Sequence, residues 1–311
     1  MIKKLLLIFI LVLAGLAGFY YWFPGTILNL LATAERSGAG LEPHSITTDD
    51  LQFSYLSGGS GDAIVLLHGF GANKDNWTRF AAHLTPHYRV IIPDLNGFGE
   101  SSAAPDSDYR IGRQAERLRQ FTQALQLQDF HLGGSSMGGY IAGVYAAGYP
   151  EQINSLLLVA PSGVATAEIS ETDQLIAAGK PDPTKVTKAE DYDRLLEYVF
   201  TKPPYIPAPL KAFLVEEALS YSELHANISA QLIADKQLPN MEALLTPFTA
   251  PTLILWGEQD RVLHVSGGTA LQQAITGSEL EIMENTGHLP MIEQPQITAQ
   301  RYLRFLQKAD H

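Results

Sequence analysis

Short apolar runs alternate along most of the chain with longer segments whose apolar residues recur at helical spacing. Runs of this kind, bounded by polar residues or glycine, are typical of buried strands. They occupy residues 63–67, 90–93, 130–132, 155–160, 252–256 and 280–283. The helical segments are 76–84, 111–125, 138–149, 265–275 and 296–307. The alternation predicts an α/β fold, with a mostly parallel sheet flanked by helices on both faces.

The alternation stops between residues 164 and 247, where no strand pattern occurs. Three helical segments, 189–200, 212–218 and 222–233, are accompanied by a proline-dense turn at 202–209. An insertion of 84 residues without strands makes a poor independent core, so it predicts a helical cap. The predicted core then has two parts, residues 45–163 and 248–311, with the cap at 164–247 between them.

Residues 5–23 form an uncharged run that follows two lysines. A membrane span needs about 20 apolar residues and a signal-peptide core about 7 to 15, so residues 1–24 predict an N-terminal membrane anchor. No basic residue follows until Arg36, which predicts that the bulk of the protein lies outside the cytoplasm. The alternative is a cleaved signal sequence and a secreted protein, with Gly15 and Ala17 at the cleavage site.

Composition narrows the functional classes. The net charge of -12 and the pI near 5.1 argue against a nucleic-acid partner, because no basic stripe is present. The absence of cysteine excludes disulfides, thiolate catalysis and cysteine metal sites. The histidines show no close-set ligand spacing, so neither a metal nor another cofactor is predicted. No pattern indicates the oligomeric state.

The segment 134–138 reads Gly-Ser-Ser-Met-Gly and lies between a predicted strand and a predicted helix. In that context G-x-S-x-G predicts a nucleophile elbow, a tight turn that projects a serine hydroxyl. The two glycines leave room where strand and helix cross closely. Ser136 is therefore the candidate nucleophile.

A serine nucleophile needs a base that takes its proton and an acid that orients the base. Downstream of Ser136, one strand runs into a turn that ends on Asp260, and the next runs into a glycine followed by His288. Both lie beyond the carboxyl ends of strands, where open α/β sheets bind ligands, so they are the predicted acid and base. Glu258 and, more remotely, Asp235 are the alternative acids. The competing histidines are interpreted as packed or solvated side chains: His83, His87, His131, His225 and His264.

Attack on a carbonyl produces an oxyanion that backbone N–H groups can stabilise. The amide of Met137, directly after the nucleophile, is one predicted donor. The other is the amide of Phe70, in the glycine-flanked loop 68–71 that follows an earlier strand. His68 in the same loop is interpreted as structural.

These motifs resemble α/β-hydrolase-fold serine hydrolases from about residue 50 onward. Segments 68–77, 136–139 and 256–260 are similar to animal monoacylglycerol lipases with an N-terminal membrane anchor, and 202–207 resembles the cap of a group of bacterial lipases. The chain departs from the pattern at Ser135, a position often held by His or Asn, and at Asn96, where proline is usual.

The resemblance implies hydrolysis of carboxylic esters, on acylglycerols or similar small-molecule lipid esters, through a Ser-Asp-His triad and an acyl-enzyme. Apolar cap residues either line an acyl channel or pack within the cap: Tyr198, Phe200, Tyr205, Ile206, Phe213 and Leu214. Tyr205 is the predicted cap contact with substrate, beside Phe70 and Met137.

Two other functions share this pattern. The first is carbon–carbon bond hydrolysis of the meta-cleavage type, in which the catalytic histidine is typically followed by Trp; here Leu289 follows, which favours the ester reaction. The second is a non-catalytic binding protein that kept the fold. The complete set of predicted catalytic groups weighs against it.

Overall fold

A sheet of eight strands forms the centre of the molecule in the computed structural model, which describes residues 18, 20–49, 51–104, 106–235 and 237–309. The strands are β1 Leu41–Thr47, β2 Gln52–Gly58, β3 Ala63–Leu67, β4 Arg89–Pro93, β5 Phe130–Ser135, β6 Ile153–Val159, β7 Thr252–Gly257 and β8 Glu279–Met283. Their spatial order is β1-β2-β4-β3-β5-β6-β7-β8. The β1–β2 and β2–β4 pairs are antiparallel, and the other five pairs are parallel.

Helices connect the strands and cover both faces of the sheet. They are α1 Pro24–Gly38, α2 Thr78–Ala81, α3 Ile111–Ala124, α4 Met137–Gly148, α5 Glu171–Ala177, α6 Ala189–Val199, α7 Ala208–Ser220, α8 Ser222–Ala234, α9 Met241–Leu245, α10 Ser266–Ala274, α11 Pro290–Glu293 and α12 Pro295–Ala309. Short 3₁₀ turns span Lys74–Trp77 and Pro150–Gln152.

Two apolar layers sandwich the sheet. On one face α3 and α4 contribute Phe121 and Ile141, and on the other α2 and α12 contribute Phe80 and Tyr302. Strands β3, β5 and β7 are buried along their whole length because helices cover them on both sides. This explains why they read as continuous apolar runs rather than alternating ones.

The predicted fold class is confirmed, and all six predicted strands are present. The sequence analysis missed β1, β2 and α1. Strand β1 is largely exposed and carries Pro43, which an edge strand tolerates, so it lacks the apolar signal used for the other strands. The helix predicted over 76–84 is shorter, because a 3₁₀ turn precedes α2 and irregular turns follow it.

Between residues 164 and 247, the described residues form five helices, α5 to α9, and no strand. This is the interval in which the sequence predicts a cap. Helix α1 packs against α7 of this interval so closely that a side-chain carbon on Gly25 would lie 2.8 Å from the ring of Phe213.

Most of the predicted N-terminal anchor lies outside the described residues, which include only residue 18 and residues 20–24 of that segment. Among the helices that the structure describes, none has the length and apolar character needed to cross a membrane.

Candidate active site

Ser136 lies in the sharp turn between β5 and α4, with φ 54° and ψ −119°. A positive φ is unfavourable for a residue with a side chain and is found where the surrounding structure enforces it. A side-chain carbon on Gly134 would lie 2.2 Å from the carbonyl oxygen of Gly138, and one on Gly138 would lie 2.4 Å from that of His68. Only glycine fits these crossings, so the turn has the tight geometry of a nucleophile elbow.

His288 and Asp260 form a buried hydrogen-bonded pair. Nδ1 of His288 lies 2.8 Å from Oδ2 of Asp260, and their side chains are 6% and 0% exposed. The other carboxylate oxygen accepts from the amides of Val262 and Leu263, at 2.8 and 3.0 Å. Because a carboxylate can only accept, Nδ1 donates the proton, and Nε2 of the neutral ring is left as an acceptor.

The sheet brings the three predicted triad residues to one edge. Strands β5 to β8 are parallel neighbours, and Ser136, Asp260 and His288 follow β5, β7 and β8. Among the described residues no hydrogen bond joins the Ser136 hydroxyl to the imidazole; such bonds are often long without substrate. Of the alternative acids, Glu258 is exposed and Asp235 directly follows α8 in the cap interval, and among the described residues the carboxylate that pairs with His288 is that of Asp260.

Two backbone amides near the serine are free to bind an anion. In the described part of the chain, the N–H groups of Phe70 and Met137 donate to no other group. The loop that carries Phe70 packs closely against Ser136 at Gly69, since a side-chain carbon on Gly69 would lie 3.2 Å from Cβ of Ser136. Both amides therefore have the hydrogen-bonding capacity expected of an oxyanion hole.

His68 fixes the loop that carries Phe70. Its Nε2 accepts from the amide of Leu95 at 2.9 Å, so Nδ1 carries the proton and donates to the Gly69 carbonyl at 2.8 Å. The ring is completely buried, and burial lowers its pKa, which favours the neutral form. Both ring nitrogens are occupied by structural bonds.

A buried ion pair anchors the turn that follows this loop along the chain. Lys74 Nζ lies 2.6 Å from Asp94 Oδ2, and the two side chains are 2% and 0% exposed. Asp94 also accepts from the amides of Lys74 and Glu100, at 2.7 and 2.8 Å. The carboxylate is thus bound by three donors and joins the Lys74–Trp77 turn to the end of β4.

Residues of the cap interval contact the loop that carries Phe70 through an aromatic cluster. The ring of His225, in α8, packs against Phe70 and Phe98 with centroids 5.4 and 5.3 Å away, and against Tyr221 at 5.7 Å. Burial among these rings lowers the pKa of His225. Tyr205 instead projects into solvent and is 90% exposed, so the structure does not bring it to the serine.

The loop that carries Asp260 is also attached to residues of the cap interval. Arg261, directly after Asp260, forms a bidentate pair with Glu171 at 2.6 and 2.7 Å and lies over the Tyr198 ring, 3.9 Å from its centroid. A cleft of about 470 Å³ adjoins these residues, but neither Ser136 nor Phe70 lines it. The sequence analysis missed this attachment, because it joins residues about 90 positions apart.

The remaining histidines have structural contacts or lie near the surface. His131 and His264 bond through Nδ1 to the hydroxyls of Ser155 and Ser266, each at 2.8 Å. His87 is exposed. In the described residues no group of three or more His, Asp or Glu side chains has an arrangement that would hold a metal ion.

Comparison with known proteins decides the family. Residues 62–192 match the α/β-hydrolase fold family. Lipase 1 of Psychrobacter immobilis is 36% identical over 275 residues, which cover 87% of this chain and 86% of the lipase. The chain belongs to the α/β-hydrolase family. Human monoacylglycerol lipase ABHD6 is 30% identical over 309 residues, 95% of this chain and 90% of that enzyme.

A solved structure extends the similarity over the full length of this α/β hydrolase. A membrane phospholipase A, described as a bacterial virulence factor, is 44% identical, with a TM-score of 0.90 and 99% of each chain covered. These relatives support assignment of the chain to the serine hydrolases that resemble lipases, and thus to the hydrolytic enzymes.

Proposed function

We propose that the protein is a carboxylic ester hydrolase that acts on the acyl esters of lipids through Ser136, His288 and Asp260. The single observation that carries the proposal is the buried His288–Asp260 hydrogen bond, at the sheet edge where Ser136 sits in its strained turn. The lipase and phospholipase names of the relatives support the ester chemistry and the lipid substrate class.

In the proposed reaction Nε2 of His288 takes the proton of the Ser136 hydroxyl as its oxygen attacks the ester carbonyl. Asp260 keeps Nδ1–H in place and stabilises the imidazolium that forms. The amides of Phe70 and Met137 bind the oxyanion, and His288 then gives its proton to the departing alcohol. Water activated by the same imidazole attacks the acyl-enzyme, which releases the fatty acid and restores the serine.

The test is Ser136→Ala, measured with p-nitrophenyl esters from acetyl to palmitoyl and with monoacyl and triacyl glycerols. We expect loss of nearly all turnover, because the remaining donors and binding contacts supply only a small part of the catalysis. Circular dichroism controls for folding. Full turnover by a folded Ser136→Ala protein would refute the mechanism, while a sharp optimum at acetyl would refute the lipid substrate and leave the esterase mechanism standing.

We further propose that the N-terminal segment attaches the enzyme to a membrane, with the catalytic domain outside the cytoplasm. The uncharged run at 5–23 supports this, as does the exposure of Trp22 at 81% and Leu30 at 60% near the start of the described chain. Alkaline carbonate extraction of cell membranes tests it: an anchored protein stays in the pellet, whereas a cleaved, secreted form appears in the soluble fraction with a new N-terminus.

A further inference from the structure

Glu293, the last residue of α11, bridges two backbone segments that are far apart in sequence. Its Oε1 accepts from the amide of Gly287, and its Oε2 accepts from the amide of Thr201, both at 2.8 Å. Gly287 directly precedes His288, and Thr201 lies just beyond α6 of the cap interval. One carboxylate therefore holds both the loop of the proposed base and the end of a cap helix.

A third bond strengthens the same junction. The amide of His288 itself donates to the carbonyl of Val199, the last residue of α6, at 3.0 Å. The packing leaves no free space, since a side-chain carbon on Gly287 would lie 3.0 Å from both Glu293 Oε1 and the Val199 carbonyl oxygen. The two peptide N–H groups that precede the Cα of His288 are thus held by Glu293 and by the end of α6, while Asp260 holds only the ring.

We propose that Glu293 is a positioning residue of the hydrolytic site: its carboxylate sets the backbone position of His288 and the end of cap helix α6 together. The inference rests on the proposed function. A base must present Nε2 to the serine within a few tenths of an ångström, and small displacements of catalytic groups are costly in rate. The hydrogen bond to Asp260 controls the rotation of the imidazole but not the position of its backbone.

The chemistry of the bridge requires two acceptor atoms. An ionised carboxylate offers one oxygen to each amide, whereas Glu293→Gln replaces one oxygen with an NH₂ group that faces an N–H donor. Glu293→Asp keeps the charge, but its shorter side chain cannot span both amides. Burial raises the pKa of Glu293, and the hydrogen bonds from the amides of Thr201 and Gly287 oppose that rise because they stabilise the ionised form.

The experiment compares wild type, Glu293→Gln and Glu293→Asp with an acetyl ester and with a fluorophosphonate that labels the active serine. We expect kcat to fall on the order of tenfold in both variants, with KM of the acetyl ester changed less than about twofold. The labelling rate constant should fall by a similar factor, since it also depends on the serine–imidazole pair. Glu284→Gln is the matched control, because this exposed side chain near the same loop makes no hydrogen bond within the described residues.

A purely structural role predicts a lower melting temperature and a smaller labelled fraction, but an unchanged rate constant for each active site. That result, or wild-type kcat in a folded Glu293→Gln protein, overturns the proposal. If Glu293→Gln does not fold, Glu293→Asp provides the same comparison. Failure of the proposed function is distinguishable, because wild type would then escape labelling at Ser136 whatever residue stands at 293.

Discussion

At the scale of residues, the absence of a side chain at Gly69 leaves room for Ser136. Gly69 has no room for a side chain, because a carbon there would lie 3.2 Å from Cβ of Ser136 and 3.4 Å from the carbonyl oxygen of Ser135. The serine lies between a strand and a helix, which limit how far it can move. Ser136 or the loop must then shift by a few tenths of an ångström, so we expect Gly69→Ala to lower kcat/KM for a short ester on the order of tenfold, less than a displacement of about 1 Å would cause.

The control for this substitution is Gly148→Ala at the end of α4, where nothing lies within 4 Å of an added carbon. It should leave activity unchanged and should not lower the melting temperature, because alanine is the better helix former. Steady-state kinetics and thermal unfolding distinguish the two sites. Equal activity of the Gly69→Ala and Gly148→Ala proteins would contradict the argument.

The site residues that the sequence predicts lie in recognisable local motifs, whereas Glu293, which it does not predict, lies in none. Ser136 and His288 each follow a strand and a glycine, a context that can be read within ten positions. Glu293 directly follows the apolar run 289–292 and belongs to no recognisable motif, and its proposed role depends on Thr201, which is 92 positions away. The aromatic ring of Tyr205 suggests a contact with substrate, but its exposure shows that residue type alone does not indicate which way a side chain points.

At the scale of elements, the Lys74–Asp94 pair joins the Lys74–Trp77 turn, which follows the Phe70 loop along the chain, to the end of β4. Asp94→Ala leaves two amides without their acceptor and leaves the buried Lys74 ammonium with Glu100, 3.0 Å away, as its remaining carboxylate partner, so we expect a loss of about 3 kcal/mol in the free energy of unfolding. Lys74→Met keeps the shape of the stem, and the carboxylate retains two amide donors. Lys74→Met should therefore lower the free energy of unfolding less than Asp94→Ala does, by about 1 kcal/mol or more.

Urea unfolding of both proteins, followed by circular dichroism, measures this difference. Equal or greater destabilisation by Lys74→Met would show that the ammonium group, rather than the amide contacts of Asp94, holds the turn in place. The short ester assay provides a second readout. A displaced Phe70 amide should lower kcat in the Asp94→Ala protein more than in the Lys74→Met protein.

The central elements were predictable because burial on both faces leaves a continuous apolar signal. Strands β3 to β7 carry that signal, whereas the edge strand β8 is buried at Met283 alone of its described residues. The signal fades at the antiparallel edge, where β1 is mostly exposed and is recognisable only through its pairing with β2. The attachments of the cap interval were not predictable either, because each of them joins segments distant in sequence.

At the scale of the whole molecule, buried titratable groups set how stability depends on pH. The pKa of His68 and that of His225 are lowered by burial, so the folded state binds their protons less readily than the unfolded chain does. Their contribution is fully present above the unfolded value of about 6.5 and is lost as the pH falls below it. Burial raises the pKa of Glu217 and of Glu293, whose contribution instead grows as the pH falls towards about 4.5.

Between pH 7.5 and 5.5 the histidines therefore dominate among these groups, and the melting temperature should fall. The free energy of unfolding should fall by at most about 1.4 kcal/mol per pH unit for each histidine. His225→Phe removes one of the two titrations and keeps an aromatic ring against Phe70. The melting temperature of this variant should therefore fall less between pH 7.5 and pH 5.5 than that of wild type. His87→Gln changes an exposed histidine, and its melting temperature should fall by as much as that of wild type. Differential scanning fluorimetry across this range makes the comparison, and an identical pH dependence of wild type and His225→Phe would show that the aromatic cluster accommodates a charged imidazole without cost.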